Sequence, residues 1–239
     1  MQTPRVIKLL VFSDISCPWC YIGLQEMDRA IDQCSECPAR FEVEYRPYRL
    51  NASLKDGQSF PKREWFEQRF GKEKSDTIES IISTRAKEVG LNIKLFDGVV
   101  SQTTLAHRLL TKAWKLGGQA KQLPLLTGLF KGYFEDGKNV GDIQTLAEIA
   151  ASCGVMSEEE TIKFLESDEL LPEVEQMMLD VRKKGVTGVP FVVIDGKSLR
   201  RLAGRISHRQ CHLHQPARIP HSIPTAMRVR VSRSRFLLL

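Results

Sequence analysis

Two cysteines separated by two residues, Cys17–Pro18–Trp19–Cys20, form the group in this chain best suited to chemistry. A thiol attacks only as its thiolate, and two thiols one helical turn apart can close a disulfide and expel whatever is bonded to the first. The pair follows an apolar, β-branched run over residues 5–13. It precedes Ile22, Leu24, Met27, Ala30 and Ile31, which fit one face of a helix. The spacing therefore puts the pair at a strand-to-helix junction, with Pro18 just inside the helix start, where a missing N–H costs nothing. A helix N-terminus offers partial positive charge and free N–H groups. Cys17, just before the helix, is the expected attacking thiol, and Cys20, one turn in, the resolving one.

A second pair, Cys34 and Cys37, completes a C-x2-C-x13-C-x2-C spacing like that of a zinc ribbon. If residues 18–33 are mostly helix, Cys20 and Cys34 are up to ~20 Å apart at about 1.5 Å per residue. Four sulfurs bound at about 2.3 Å to one ion cannot span that distance, so no metal is expected. Cys34 and Cys37 read as loop thiols or an auxiliary pair, and Cys153 as a small core residue. Further along, Val189–Pro190 heads a short strand. The Val189 backbone there could pair with an extended peptide held across the cysteines. Asp14, close before the pair, is a candidate helix cap or proton modulator. Trp19 and Tyr21 are candidates for shaping the site.

The elements that must position these residues can be read in outline. Residues 41–48 alternate as a strand that Pro47 confines to an edge or an end. From about 61 to 184 the pattern is helical, with Asp142 a plausible cap and Ser157 with Glu160 a capping box. Phe191–Ile194 is a strand, and Asp195–Gly196 signals a hairpin turn. The order strand, helix, strand, helical block, strand predicts an α/β fold with a large helical insertion. The first two strands should be parallel, with the cysteine-bearing helix as crossover.

Composition sets the limits. The 239 residues are 42% hydrophobic and 27% charged, as in a globular chain with a sizeable core. No apolar run approaches the ~18–20 residues needed to cross a bilayer, so no membrane span is expected. The start, MQTPRVIKLLVFSD, carries no signal-peptide pattern, which points to a cytoplasmic location. The net charge of +6 is concentrated in residues 198–239, which hold nine Arg and no Lys, Asp or Glu. Without those nine Arg, 26 basic residues face 29 acidic ones, a net of −3. The body is thus mildly acidic, and no specific nucleic-acid partner is expected.

The motifs together resemble the DsbA-like thioredoxin-fold family, in its FrnE-like branch. The resemblance rests on residues 12–23 (FSDISCPWCYIG), 46–51 (RPYRLN), 104–109 (TLAHRL) and 185–191 (GVTGVPF), and covers about 6–197. It implies a thioredoxin-like fold with a helical insertion over about 55–184, making residues 1–197 the domain. It implies a thiol–disulfide oxidoreductase acting on protein or small thiol substrates, with Cys17 and Cys20 as the redox pair. Pro18, Trp19, Val189 and Pro190 would face the substrate, the Val189–Pro190 bond being cis. His107 and Arg108, on the insertion, border the site and are further candidates with Asp14. The same fold hosts kappa-class glutathione transferases and 2-hydroxychromene-2-carboxylate isomerases, which usually carry Ser in place of Cys17. A glutathione-dependent transferase or isomerase is therefore the alternative, and glutathione the one small thiol expected as reductant or co-substrate.

Residues 198–239 depart from that resemblance, which calls for a second hairpin strand and an amphipathic helix. Their composition points to a shifted reading frame or a retained intron, giving an unstructured basic tail. On this reading the strand at 191–194 loses its partner and becomes an exposed edge, lowering stability.

Overall fold

The computed structural model describes residues 5–34, 38–55 and 57–199. Strand β1 (Arg5–Ser13) leads into helix α1 (Pro18–Gln33), and β2 (Ala39–Pro47) returns parallel to β1, with Arg5 opposite Ala39 and Ser13 opposite Pro47. The insertion follows. It holds β3 (Ser59–Pro61), α2 (Lys62–Phe70), α3 (Lys72–Glu88), β4 (Val99–Ser101), α4 (Thr104–Gly117) and α5 (Gln119–Phe134), and continues with α6 (Ile143–Ser152), α7 (Glu158–Glu166) and α8 (Leu171–Lys183). Strands β5 (Phe191–Ile194) and β6 (Lys197–Leu199) complete a four-stranded sheet in the order β2-β1-β5-β6.

Apolar periodicity and end signals account for most of these elements. Asp142 accepts the Thr145 N–H at the start of α6, and Ser157 with Glu160 forms a complete capping box on α7. Two features depart from the sequence expectation. Strands β3 and β4 pair antiparallel over three residues each, too few to show alternation in the sequence. The second departure is a correction. β5 does not lose its partner: it lies between β1 and β6, with Val192 opposite Leu199. The Asp195–Gly196 turn closes the hairpin, with φ +46° and +76°, so β5 is an inner strand. The tail expected over 198–239 starts inside β6, which runs to Leu199, and its remainder, 200–239, lies outside the described residues, as does Cys37.

One core runs through sheet and insertion. Leu9 and Val11 of β1, Leu24 and Met27 of α1, Leu109 of α4, and Leu125, Leu129 and Phe130 of α5 belong to a single buried cluster. A smaller cluster of Phe12, Tyr48, Val181 and Val186 gathers between β1 and the end of α8. The insertion also finishes the sheet. Strand β2 is an outer strand, and glutamines of α5 occupy its free edge. Gln119 Oε1 accepts the Val43 N–H at 2.9 Å, and Gln122 Oε1 accepts the Tyr45 N–H at 2.8 Å. Gln122 Nε2 donates back to the Tyr45 carbonyl at 2.9 Å and to the Leu110 carbonyl at 3.2 Å.

Candidate active site

The end of β1 and the start of α1 hold the cysteines. Cys17 is the N-cap residue of α1, in extended backbone conformation, with Pro18 in the first helical turn. The Cys17 N–H donates to the Asp14 carbonyl at 3.0 Å, which tightens the turn out of the strand. The Cys17 thiol lies at the cap, 3.7 Å from the Val189 carbonyl, to which it donates. Cys20 lies behind it, 2% exposed against 4% for Cys17. Burial pushes the Cys20 thiol well up in pKa, and Cys17 beside it pushes the same way, while Ser13 and the Asp14 N–H favour its charged form.

Val189 and Pro190 approach the pair from the other end of the chain, joined by a cis peptide bond. The approach depends on Gly23. A Cβ there would lie 3.2 Å from Pro190 Cγ, closer than ordinary packing allows. Trp19 sits half-buried beside the pair and packs on the main core. Tyr21 instead points into the insertion, stacking on Phe130 with centroids 5.1 Å apart and donating to Glu135 at 2.9 Å.

Asp14 is buried and does not cap α1. Its Oδ1 accepts the Ser16 N–H at 3.1 Å, and its Oδ2 accepts the Leu50 N–H at 2.6 Å. His107, from α4, places Nε2 at 3.7 Å from Asp14 Oδ1 and 3.0 Å from the Tyr48 carbonyl. Burial alone would raise the Asp14 pKa, but the His107 contact and the two N–H donors outweigh it and hold the carboxyl below its ordinary value. Arg108 turns the other way. Its guanidinium donates to the Phe164, Leu165 and Glu169 carbonyls at 3.0–3.2 Å, and also to the Ser167 carbonyl. It closes the C-terminal end of α7 and does not reach the cysteines.

Sequence reasoning did not single out Ser13. Its buried hydroxyl has no partner at ordinary hydrogen-bond geometry, yet it faces Cys20 closely enough to favour the thiolate. A serine that ends a strand carries no local signal of this. Cys34 caps the far end of α1, a helix of 16 residues, so it cannot share an ion with Cys20. Among the described residues, no three His, Cys, Asp or Glu gather as a metal site. No helix among them is long and apolar enough to cross a membrane.

The sequence family described as DSBA-like thioredoxin domain matches residues 8–212. A probable DsbA oxidoreductase from Streptomyces coelicolor is 27% identical, with a TM-score of 0.71 over 79% of this chain and 80% of its own. A 2-hydroxychromene-2-carboxylate isomerase is 13% identical, with a TM-score of 0.62 over 81% of this chain and 88% of its own. The cytosolic disulfide reductase DsbM from Pseudomonas aeruginosa, solved with GSH, is 13% identical, with a TM-score of 0.54 over 81% and 89%. The last two share the fold. No curated protein matches the chain.

Proposed function

This chain belongs to the DSBA-like thioredoxin domain family, and from that premise we propose that it is a thiol–disulfide oxidoreductase exchanging a Cys17–Cys20 disulfide with protein or small thiol substrates. The observation that carries the reading is the placement of Cys17. It caps a helix N-terminus, with the Val189 carbonyl at 3.7 Å and a second thiol directly behind it. In the reductive direction, Cys17 Sγ attacks a substrate disulfide and one substrate sulfur leaves as thiolate. Cys20 Sγ then attacks Cys17 Sγ, the mixed disulfide breaks, and the second substrate sulfur departs. Val189 and Pro190, with Trp19, form the surface against which the substrate sulfur is presented, while Pro18 lies buried in the first turn of α1.

Glutathione is the proposed small thiol that resets the pair, and the reducing cytosol the proposed compartment, where that pool favours the dithiol. The likeness to GSH-bound DsbM supports the choice of glutathione. The test is a redox titration of the full chain in graded reduced and oxidised glutathione, with free thiols alkylated and located by mass spectrometry. A reversible Cys17–Cys20 disulfide with one midpoint is expected. Cys20→Ser is expected to accumulate a mixed disulfide on Cys17, and Cys17→Ser to lose exchange altogether. If Cys17 and Cys20 titrate like the remaining cysteines, the proposal fails. Full activity of Cys20→Ser together with retention on a glutathione matrix would favour the transferase or isomerase alternative.

A further inference from the structure

Cys20 can attack only after losing its proton, and it is buried. At the end of β1 the Ser13 hydroxyl is buried at 3% exposure, makes no hydrogen bond at ordinary geometry, and stands near enough to Cys20 to favour its charged form. Beyond Ser13 opens a crevice of about 10 Å³ lined by Ser13, Ile15, Tyr45, Arg46, Pro47, His107 and others. That volume suits about one water molecule, provided polar groups hold it. Ser13 Oγ and the His107 ring are such groups. The other charged lining residue, Arg46, is held by Glu44 at 2.8 Å and 3.1 Å.

His107 is set up to receive a proton. Its Nε2 faces the Tyr48 carbonyl, which can only accept, so Nε2 carries a hydrogen and Nδ1 is the ring nitrogen left to take a proton from the crevice. Once protonated, the ring would face the Asp14 carboxylate at 3.7 Å, so that the two charges compensate inside the protein. Around Cys20 the other polar groups are the Cys17 thiol, the Asp14 N–H and the Tyr45 phenol from β2. In the resolving step Cys17 is bonded to the substrate sulfur, a backbone N–H is not a base, and burial pushes the Tyr45 phenol up so that it keeps its proton.

We propose that Ser13, one water in the adjoining crevice and His107 form the proton path of the resolving cysteine, with Asp14 holding the charge that arrives. The proposal rests on the oxidoreductase reading. In the resolving step the Cys20 S–H bond breaks and its proton passes to Ser13 Oγ. Ser13 gives its own proton to the water, and the water gives one to His107. The Cys20 sulfur forms the bond to Cys17 Sγ, and the substrate sulfur leaves with the electron pair of the broken mixed disulfide. When a thiolate opens the Cys17–Cys20 disulfide, the same path runs backward and protonates the departing Cys20. Ser13 acts on a reacting atom; His107 and Asp14 are positioning residues.

The test uses the full-length reduced protein and oxidised glutathione, with acid quenching and mass spectrometry of the peptide that contains Cys17 and Cys20. It resolves formation of the Cys17–glutathione adduct from its conversion to the Cys17–Cys20 disulfide. Ser13→Ala and His107→Gln are expected to leave adduct formation within about twofold of wild type. Both should slow conversion about tenfold or more near pH 7, with the deficit shrinking as hydroxide takes over at higher pH. Conversion in deuterium oxide should slow more for wild type than for Ser13→Ala. Should His107→Gln fail to fold, Ser13→Ala alone decides. Ser13→Ala conversion equal to wild type at every pH would overturn the path while leaving the oxidoreductase reading intact. Absence of a glutathione adduct on Cys17 in Cys20→Ser would overturn both.

Discussion

Gly23 has no side chain because Pro190 occupies the space one would need, with Cγ 3.2 Å from an ideal Cβ. Ala at this position requires a shift of a few tenths of an ångström, while Val adds two methyl groups against a proline ring. Gly23→Val is expected to push the Val189–Pro190 segment off Cys17, slowing thiol exchange and costing about 1–3 kcal/mol as an overpacked contact. Exchange rates and thermal melts check this. Asp14 gives a second expectation at this scale. Its carboxyl is held below the ordinary value of 3.8, so its contribution to stability is present above that pH and is lost as pH falls through the depressed folded value. Asp14→Asn should therefore flatten the acid limb of the stability–pH curve and destabilise the fold at neutral pH. The sequence displayed Cys17, Cys20 and Pro190 because their types are rare and their chemistry distinctive. It could not display why position 23 is glycine, since the reason stands 167 residues further on and exists only after folding. Ser13 was hidden for a similar cause, and Asp14 was visible as a candidate but read first as a cap, because short polar residues near a helix start read as caps and turns.

Among the elements, α2 is pinned to α5 by a lysine. Lys62 is 1% exposed, with Nζ 2.5 Å from the Tyr133 carbonyl and 3.6 Å from the centroid of its ring. Burial pushes its pKa from 10.5 down to about 7, against the pull of Asp97. Between those values the unfolded chain holds a proton that the folded chain releases, so stability should rise as pH goes from about 7 to 10.5. Lys62→Met is expected to remove that rise while keeping neutral-pH stability within about 1–2 kcal/mol, because the cost of the buried cation goes with it. Urea unfolding at several pH values separates the two. Arg108 does the corresponding work between α4 and α7. Arg108→Leu leaves the carbonyls at the end of α7 without their donor and should cost about 2–4 kcal/mol, with little change in the redox midpoint. Periodicity and capping made the helices legible, down to Asp142 and the Ser157–Glu160 box. Lys62 was not singled out and Arg108 stood as a candidate bordering the site, because nothing local in a sequence marks a cation whose partners are distant carbonyls and rings.

At the scale of the molecule, sheet and insertion share one core, so the insertion is part of what holds the cysteine pair in place. The parallel β1–β2 pair with its crossover helix was legible from order and length alone. The pairing of β6 was not, because the composition of the tail overshadowed the hairpin signal at Asp195–Gly196 just before it. Gln122 gives the expectation at this scale. It is 1% exposed and makes three hydrogen bonds, two of them to Tyr45. Gln122→Leu would bury the Tyr45 N–H and carbonyl without partners, costing about 2–5 kcal/mol and raising the tendency to aggregate; Gln119→Ala should cost less. Denaturant melts and light scattering check both. An open strand edge is a repeating pattern of donors and acceptors that any extended chain can copy. Along β2 two side-chain amides answer that pattern at Val43 and Tyr45, so a passing chain finds no free pattern there to copy. To lodge at that point, it would have to displace α5 and open the core that α5 helps to close. An extended chain that reaches β2 thus finds no rail there on which to stay.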